Sequence, residues 1–412
     1  MTVWRTHEIK DPVHLTVDGA PVVAERGEPV AMAIAASGRE VFGRSVKYHR
    51  PRGPACYASR CDGCLMRVDG VPNVMTCHVG AEDGLKAETQ NVWGSAELDV
   101  LSVTDWFFPK GLDHHHLVTR PATLNRAMQA VARRIAGIGK LPSEVAQPRN
   151  AVREATDVLI VGAGPAGLAL AKRLHAGGVR PMVVDEHDGA ASDAGAVDSG
   201  AEGAVAVERE TVAFGVYDGE VALLGPSGIR VVRPRHLVFA TGTHEQSVPV
   251  AGGDLPGVIG VAAALRLLAA GFAPGRRVVV VGASRAAEDF ARDAAARGVT
   301  VLTPADNESL TALEGGLAVE RAKLVNAAGD VRFEDVDAAV LEGALTGAVE
   351  LATQAGASVA WRGEGFFTEV NARGETARAG VYAIGSCTGE VDGARVDAQV
   401  AAAAAQILGG AP

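Results

Sequence analysis

The sequence predicts an α/β protein in which a small β-grasp domain precedes two strand–turn–helix–strand units of dinucleotide-binding type. Three observations carry that reading. A hairpin followed by a short helix opens the chain, which is how a β-grasp fold begins. Residues 157–161 (DVLIV) and 277–281 (RVVVV) are unbroken apolar runs, suited to strands covered on both faces of a parallel sheet. Each run is followed by a turn, a helical stretch and another strand, which suggests an internal duplication.

The elements follow in order. Residues 14–17 alternate as a strand, Asp18 and Gly19 form a hairpin turn, and residues 21–24 return. Pro29 opens a short helix over 30–36, and Gly38 ends it. A strand over 65–68 leads to an Asp69-Gly70 turn. From 109 to 148 the pattern turns irregular and then weakly helical over 124–138, with Pro142 and Pro148 closing what reads as a linker. Strand 157–161 is succeeded by a helix over 168–175 and a strand over 181–184, and residues 189–203, rich in Gly, Ala, Ser and Asp, read as a loop. The second unit places a helix over 286–296 and a strand over 299–302, and the alanine run 401–405 belongs to a C-terminal helix.

Composition excludes several classes of function. Apolar residues at 48% and charged residues at 21% exclude wholesale disorder. No run approaches the roughly 18 apolar residues that cross a bilayer, and no basic-then-apolar leader opens the chain. A cytoplasmic protein with no transmembrane segment is therefore expected. A net charge of −10 argues against a nucleic-acid binder held by phosphate contacts. His114 to His116 read as a loop without metal-ligand spacing.

Of the 5 cysteines, four crowd into one stretch. Cys56, Cys61 and Cys64 are spaced C-x4-C-x2-C, with Cys77 beyond, which is the plant-type spacing for a 2Fe–2S cluster. The small residues Ala58, Ser59 and Gly63 let such a loop fold around two irons. The competing reading, a structural zinc site, expects two separate C-x2-C pairs, and only Cys61/Cys64 makes one. His78 reads as a surface histidine and Cys387 as a small buried residue.

Gly162, Gly164 and Gly167 form G-x-G-x-x-G with Pro165 and Ala166 between them, placed between a strand and a helix where a pyrophosphate can sit on the helix N-terminus. Asp185 and Glu186 close the next strand about 20 residues on, where a carboxylate takes ribose hydroxyls. The fingerprint alone leaves FAD and NAD open. The second unit keeps Gly282 but has Ser284 at the second glycine position, and no carboxylate ends its second strand, so NAD or NADP is not expected there.

The turns at Ala240-Thr241-Gly242 and at Gly385-Ser386 resemble those that flank FAD in the glutathione-reductase-like family of two-dinucleotide-domain flavoproteins, with Ser386 where that family has Asp. Residues 43–53 (GRSVKYHRPRG) closely resemble the GRSxKYHRPRG stretch of heterotetrameric sarcosine oxidase α subunits. That resemblance continues through 89–93, 109–111, 240–245 and 254–257, and covers the N-terminal half of that large subunit. In retaining ligand cysteines the chain is similar to the small ferredoxin-like and FAD subunits of hydrogen cyanide synthase and opine dehydrogenase complexes, fused into one chain. The basic run 44–52 reads either as a dock for a partner flavoprotein or as an intramolecular tie.

What the resemblance implies is an electron-transfer subunit of a flavin- and iron–sulfur-containing amine or imino-acid dehydrogenase. Its FAD would be cradled by Gly162, Gly164, Pro165, Ala166, Gly167, Asp185, Glu186, Thr241, Gly242, Gly385 and Ser386, and its cluster held by Cys56, Cys61, Cys64 and Cys77. The partner implied is a smaller FAD-dependent amine-oxidase-like subunit in a hetero-oligomer. Other readings are a free-standing NAD(P)H-dependent ferredoxin-type reductase and a non-catalytic scaffold with a vestigial flavin site. The domains expected are a ferredoxin-like domain at 1–105, a linker at 106–155, the first part of an FAD domain at 156–250, a second nucleotide-type domain at 251–374, and the FAD domain's C-terminal part at 375–412.

Overall fold

The computed structural model describes residues 3–45, 48–103, 121–126, 150–187 and 205–409. The linker residues 127–149, most of the helix expected over 124–138, His114 to His116 and the loop at 189–203 lie outside the described residues. The chain gathers into two compact units: one from the described parts of Met1–Val145 and Ser247–Gly343, the other from Ala146–Gln246 and Ala344–Pro412. Residues 344–374, grouped by sequence with the second nucleotide-type domain, lie in the second unit.

In the first unit, strands Pro12–Val17 and Ala20–Glu25 pair antiparallel around Asp18 and Gly19. Both turn residues have positive φ, 50° and 80°, the type I′ geometry that matches strand twist. Val13, Leu15 and Val17 point inward, as the alternation requires. Strands Lys86–Glu88, Leu65–Val68 and Val71–Met75 complete a five-stranded sheet, and helix Val30–Ala36 is buried almost throughout. This is the β-grasp layout.

The same unit holds a four-stranded parallel sheet in the order Val258–Gly260, Ala338–Leu341, Arg277–Val281, Thr300–Leu302. Helices Val261–Ala269 and Arg285–Ala296 flank it. One apolar core runs through both halves, from Val13, Leu15 and Ile34 to Ile259, Leu267, Phe272 and Val280. The N-terminus ties them as well: Trp4–Arg5 pairs with Phe272–Ala273, and Trp4 donates its indole N–H to the Gly275 carbonyl at 3.1 Å. Arg276 lies over the Trp4 ring, 4.0 Å from its centroid.

The second unit is a Rossmann-type sheet. Strands Val207–Glu208, Met182–Val184, Val152–Val161, Gly228–Phe239 and Val381–Ala383 run parallel in that order. The near end of the long strand Gly228–Phe239 also carries the antiparallel pair Val212–Tyr217 and Glu220–Gly225. Helix Pro165–Ala176 starts three residues earlier than the apolar pattern suggests, because Pro165 at its first position is preset for a helix. It packs with helix Gly393–Gly409, whose Ala403 and Ala404 give close approach, and Leu170, Leu174, Val400 and Ile407 fill the layer beneath.

Candidate functional site

The loop from Gly53 to Cys64 is wound tightly. Tyr57 and Ser59 take positive φ, 49° and 56°, and a Cβ on Gly63 would stand 2.0 Å from the Gly53 carbonyl oxygen, so only glycine closes the loop. The fourth cysteine arrives on the 3-10 turn Thr76–His78, and Thr76 fixes that turn by donating its hydroxyl to the Cys64 carbonyl at 2.8 Å. His78, beside it, is exposed.

The four thiols fall into two pairs. Cys64 Sγ and Cys77 Sγ lie 3.4 Å apart, and Cys56 is hydrogen-bonded to Cys61. The Cys56 thiol holds Cys61 well below the usual thiol range, to about 5, assisted against burial by the N–H groups of Ala55 and Gly63. The Cys64 thiol does the same for Cys77, to about 6, with Ser59 assisting. Cys56 and Cys64, the donors, are pushed up by those same bonds and by burial. Further N–H groups converge on sulfur: Ala58 and Arg60 on Cys56 at 3.4 and 3.2 Å, and Ser59 on Cys77 at 3.3 Å. Two thiol pairs, each with amide donors to sulfur, fit the donor set of a two-iron cluster.

Helix Val261–Ala269 reaches this loop. Arg266, half-buried in its last turn, donates to the Cys56 carbonyl at 3.2 Å. The Tyr57 side chain is buried and, with Ile259 and Leu267, lines a small cavity. Two arginines of the basic run 44–52 make contacts within this unit. Arg44 is buried and donates to the carbonyls of Ala96, His49 and Glu97, and Arg50 lies 3.7 Å from Asp254.

In the second unit the carboxyl ends of strands Val152–Val161, Met182–Val184, Gly228–Phe239 and Val381–Ala383 bring the nucleotide residues together. Gly162 has φ +105°, and a Cβ there would stand 2.3 Å from the Ala240 carbonyl oxygen. A Cβ on Gly167 would stand 2.0 Å from the Gly162 oxygen, and one on Gly385 would stand 2.8 Å from the Ala166 Cβ. Gly164 is different. Its φ of −69° suits any residue, and a Cβ there meets nothing within 4 Å. Neither packing nor backbone demands glycine at 164, which leaves open space beside the loop. No side chain caps helix Pro165–Ala176 and no acid stands in its first turn, so its N-terminus is left for an anion. The residues fit a dinucleotide pyrophosphate.

Asp185 accepts from the Ala163 N–H at 2.6 Å and the His187 N–H at 2.9 Å. Burial pushes its carboxyl up, but these bonds together with the His187 side chain outweigh it and leave Asp185 below its ordinary value. Asp185 thus braces the glycine loop, and half-buried Glu186 follows it. Thr241 donates its hydroxyl to the Ala348 carbonyl at 2.7 Å, Gly242 has φ +75°, and the Ser386 turn is steadied by Gln399, which accepts from the Gly385 N–H at 2.8 Å. His244, 3.4 Å from Glu350, sits in a strand pair with Leu345–Gly347. Cys387 is fully buried, its thiol directed at the carbonyls of Ile384 and Phe239.

The second fingerprint is closed by the chain itself. Glu342 Oε2 accepts from the Ala283 N–H at 2.7 Å and the Ser284 N–H at 3.1 Å. The Ser284 hydroxyl accepts from the Ala287 N–H, and a Cβ on Gly282 would stand 2.7 Å from Glu342 Oε2. The amides that cradle phosphate in such a turn are occupied by a carboxylate and a hydroxyl. Spacing could not reveal Glu342 or Arg266, which act 58 and 210 residues away from their partners.

Comparison with known proteins agrees with this geometry. Residues 10–92 match the 2Fe-2S iron-sulfur cluster binding domain family, and residues 155–197 match the FAD binding domain family. The alpha subunit of sarcosine oxidase from Rhizobium meliloti (strain 1021) is 28% identical over 415 residues, covering 86% of this chain and 42% of that protein. That of Corynebacterium sp. (strain P-1) is 30% identical over 325 residues, covering 70% of this chain and 30% of that protein. The chain is a homologue of sarcosine oxidase alpha subunits. It spans less than half the length of these relatives. An opine oxidase subunit from Rhizobium meliloti (strain 1021) is 32% identical over 186 residues, 39% of this chain and 41% of that one. The crystal structure of L-proline dehydrogenase from P.horikoshii shares the fold, with a TM-score of 0.74 over 99% of this chain and 76% of that one, at 20% identity. Among the described residues, no helix is long and apolar enough to cross a membrane.

Proposed function

We propose that this chain is the electron-transfer subunit of a multi-subunit flavin- and iron–sulfur-dependent dehydrogenase or oxidase acting on the C–N bond of a secondary amine or imino acid of sarcosine, opine or proline type. The observation that carries this reading is the two-pair arrangement of Cys56/Cys61 and Cys64/Cys77, in one chain with the open glycine cradle at Gly164. A flavin accepts electrons in pairs and releases them singly, and a 2Fe–2S cluster carries one at a time. The four cysteines hold the irons, and the N–H groups of Ala58, Ser59 and Arg60 steady the sulfurs against the charge. Gly162, Gly164 and Gly167 would admit the pyrophosphate to the N-terminus of helix Pro165–Ala176, which Pro165 and Ala166 open, Asp185 braces the loop, and Glu186 would supply the carboxylate for the ribose hydroxyls. Thr241, Gly242, Gly385 and Ser386 form the far wall. The substrate is oxidised on a smaller FAD-dependent amine-oxidase-like partner in a hetero-oligomer in the cytoplasm, and the names of the relatives, which are subunits, support that assembly.

Glu342 weighs against a free-standing NAD(P)H-dependent reductase, because it fills the second phosphate turn. The test is direct. The purified chain is expected to hold iron and acid-labile sulfide equal to one 2Fe–2S cluster and to release FAD on denaturation. Anaerobic NADH is expected to leave its absorbance unchanged, whereas substrate with the co-purified partner bleaches it. Bleaching by NADH alone would favour the reductase, and a purified chain without FAD would favour a scaffold. A Cys61→Ser variant with unchanged spectra and bound zinc would sink the cluster assignment.

A further inference from the structure

The half of the first unit that carries the second fingerprint has a use other than nucleotide binding. Its phosphate turn is closed by Glu342, while its helix Val261–Ala269 grips the cysteine loop through Arg266 and the apolar bed beneath Tyr57. From this geometry we infer that Arg266 sets the reduction potential of the cluster, as a positioning residue whose fixed positive charge favours the reduced form. The inference rests on the cluster assignment above.

The argument is electrostatic. Reduction adds one electron to the cluster, with no bond made or broken, and so adds one negative charge among the four thiolates. A neighbouring cation interacts more strongly with the more negative state, which raises the potential. Arg266 donates to the carbonyl of Cys56, itself one of the four cysteines, from a half-buried position where water screens it only in part. A guanidinium keeps its charge at every working pH, so the effect is constant. The chain around it is net acidic, at −10, which makes one cation held against the loop count for more. Arg266 is held in place on its own side by the last turn of a helix whose buried residues, Ala263, Ala264, Leu267 and Leu268, are locked in the shared core.

The experiment is a dithionite titration of the full chain, with redox mediators, followed by the electron paramagnetic resonance signal of the reduced cluster. Iron and sulfide are measured first. An unloaded wild type would overturn the cluster assignment itself, whereas a loaded protein tests Arg266 alone. Arg266→Gln keeps a hydrogen-bond donor and removes the charge. It is expected to weaken electron binding about tenfold, a fall of about 59 mV for a one-electron couple. Arg266→Lys keeps the charge and should stay near the wild type. A fully loaded R266Q with an unmoved midpoint would overturn the inference, as would equal shifts in R266Q and R266K. Should R266Q fail to retain iron, Arg266→His carries the charge at low pH and loses it at high pH. Its midpoint is then expected to fall as pH rises through the histidine range, more steeply than the wild type's, and parallel slopes would overturn the inference.

Discussion

At the scale of single residues, the three glycines of the first fingerprint do three different jobs. Gly162 and Gly167 are glycine because backbone atoms stand where a Cβ would be, 2.3 and 2.0 Å away. Gly164 has open space and an ordinary φ, so the fold itself does not require glycine there, and under the proposed FAD cradle its bare backbone leaves room for the ligand. Gly167→Ala is therefore expected to destabilise the protein by about 1–3 kcal/mol, the range for forcing an extra carbon into a packed site. Gly164→Ala should leave stability within about 0.5 kcal/mol, as for a substitution that meets nothing, while weakening FAD about tenfold or more. Thermal unfolding and fluorescence titration with FAD read the two effects separately. If G164A unfolds as early as G167A and still binds FAD normally, the cradle has been misplaced. This distinction was invisible in the motif, where the three glycines look alike. Only the surroundings of each Cβ separate them.

At the scale of elements, two helices that follow equivalent strands begin in opposite ways. Helix Pro165–Ala176 has no side-chain cap, and helix Arg285–Ala296 is capped by the Ser284 hydroxyl, with Glu342 holding the turn before it. The sequence hinted at this difference through Ser284 but could not show what replaced the ligand. Glu342 sits at the end of strand Ala338–Leu341, and the parallel pairing of that strand with Arg277–Val281 delivers it to the turn. Burial pushes the Glu342 carboxyl up, but the bonds from Ser284 and Ala283 prevail and hold it below its ordinary value of 4.5. Glu342→Ala is expected to cost about 1–3 kcal/mol, the range for losing hydrogen bonds to a charged acceptor. A carboxyl held below its unfolded value stabilises the fold fully only above that value. The gap between wild type and E342A should accordingly be full at pH 7 and shrink as pH falls below 4.5, read by urea denaturation at each pH. A gap that widened on acidification would contradict the assigned contact.

At the scale of the whole molecule, what was legible in the sequence is what is local. The type I′ turn at Asp18-Gly19, the cysteine spacing and the strand–glycine–helix order are each fixed within about 20 residues. What was not legible is where the chain folds back on itself. Strand Leu345–Gly347 returns to pair with Thr243–Glu245, so the flavin-type unit resumes at Ala344. The ferredoxin-like half and the second nucleotide-type half, drawn in the sequence as separate domains, share one core in which Phe42 and Ile34 belong with Ile259, Leu267 and Phe272. Apolar periodicity records that a residue is buried but never against what. A shared core has a consequence for unfolding, because the two halves cannot lose their packing independently. In rising urea, loss of the cluster's visible absorbance is expected to coincide with loss of amide-exchange protection in helices Val261–Ala269 and Arg285–Ala296. Leu267→Ala, which empties part of that core, should shift both transitions to lower urea together, by an amount equivalent to about 2–5 kcal/mol. Had the ferredoxin-like half been an independent domain, the cluster would be lost while those helices stayed protected, and L267A would move the helices alone.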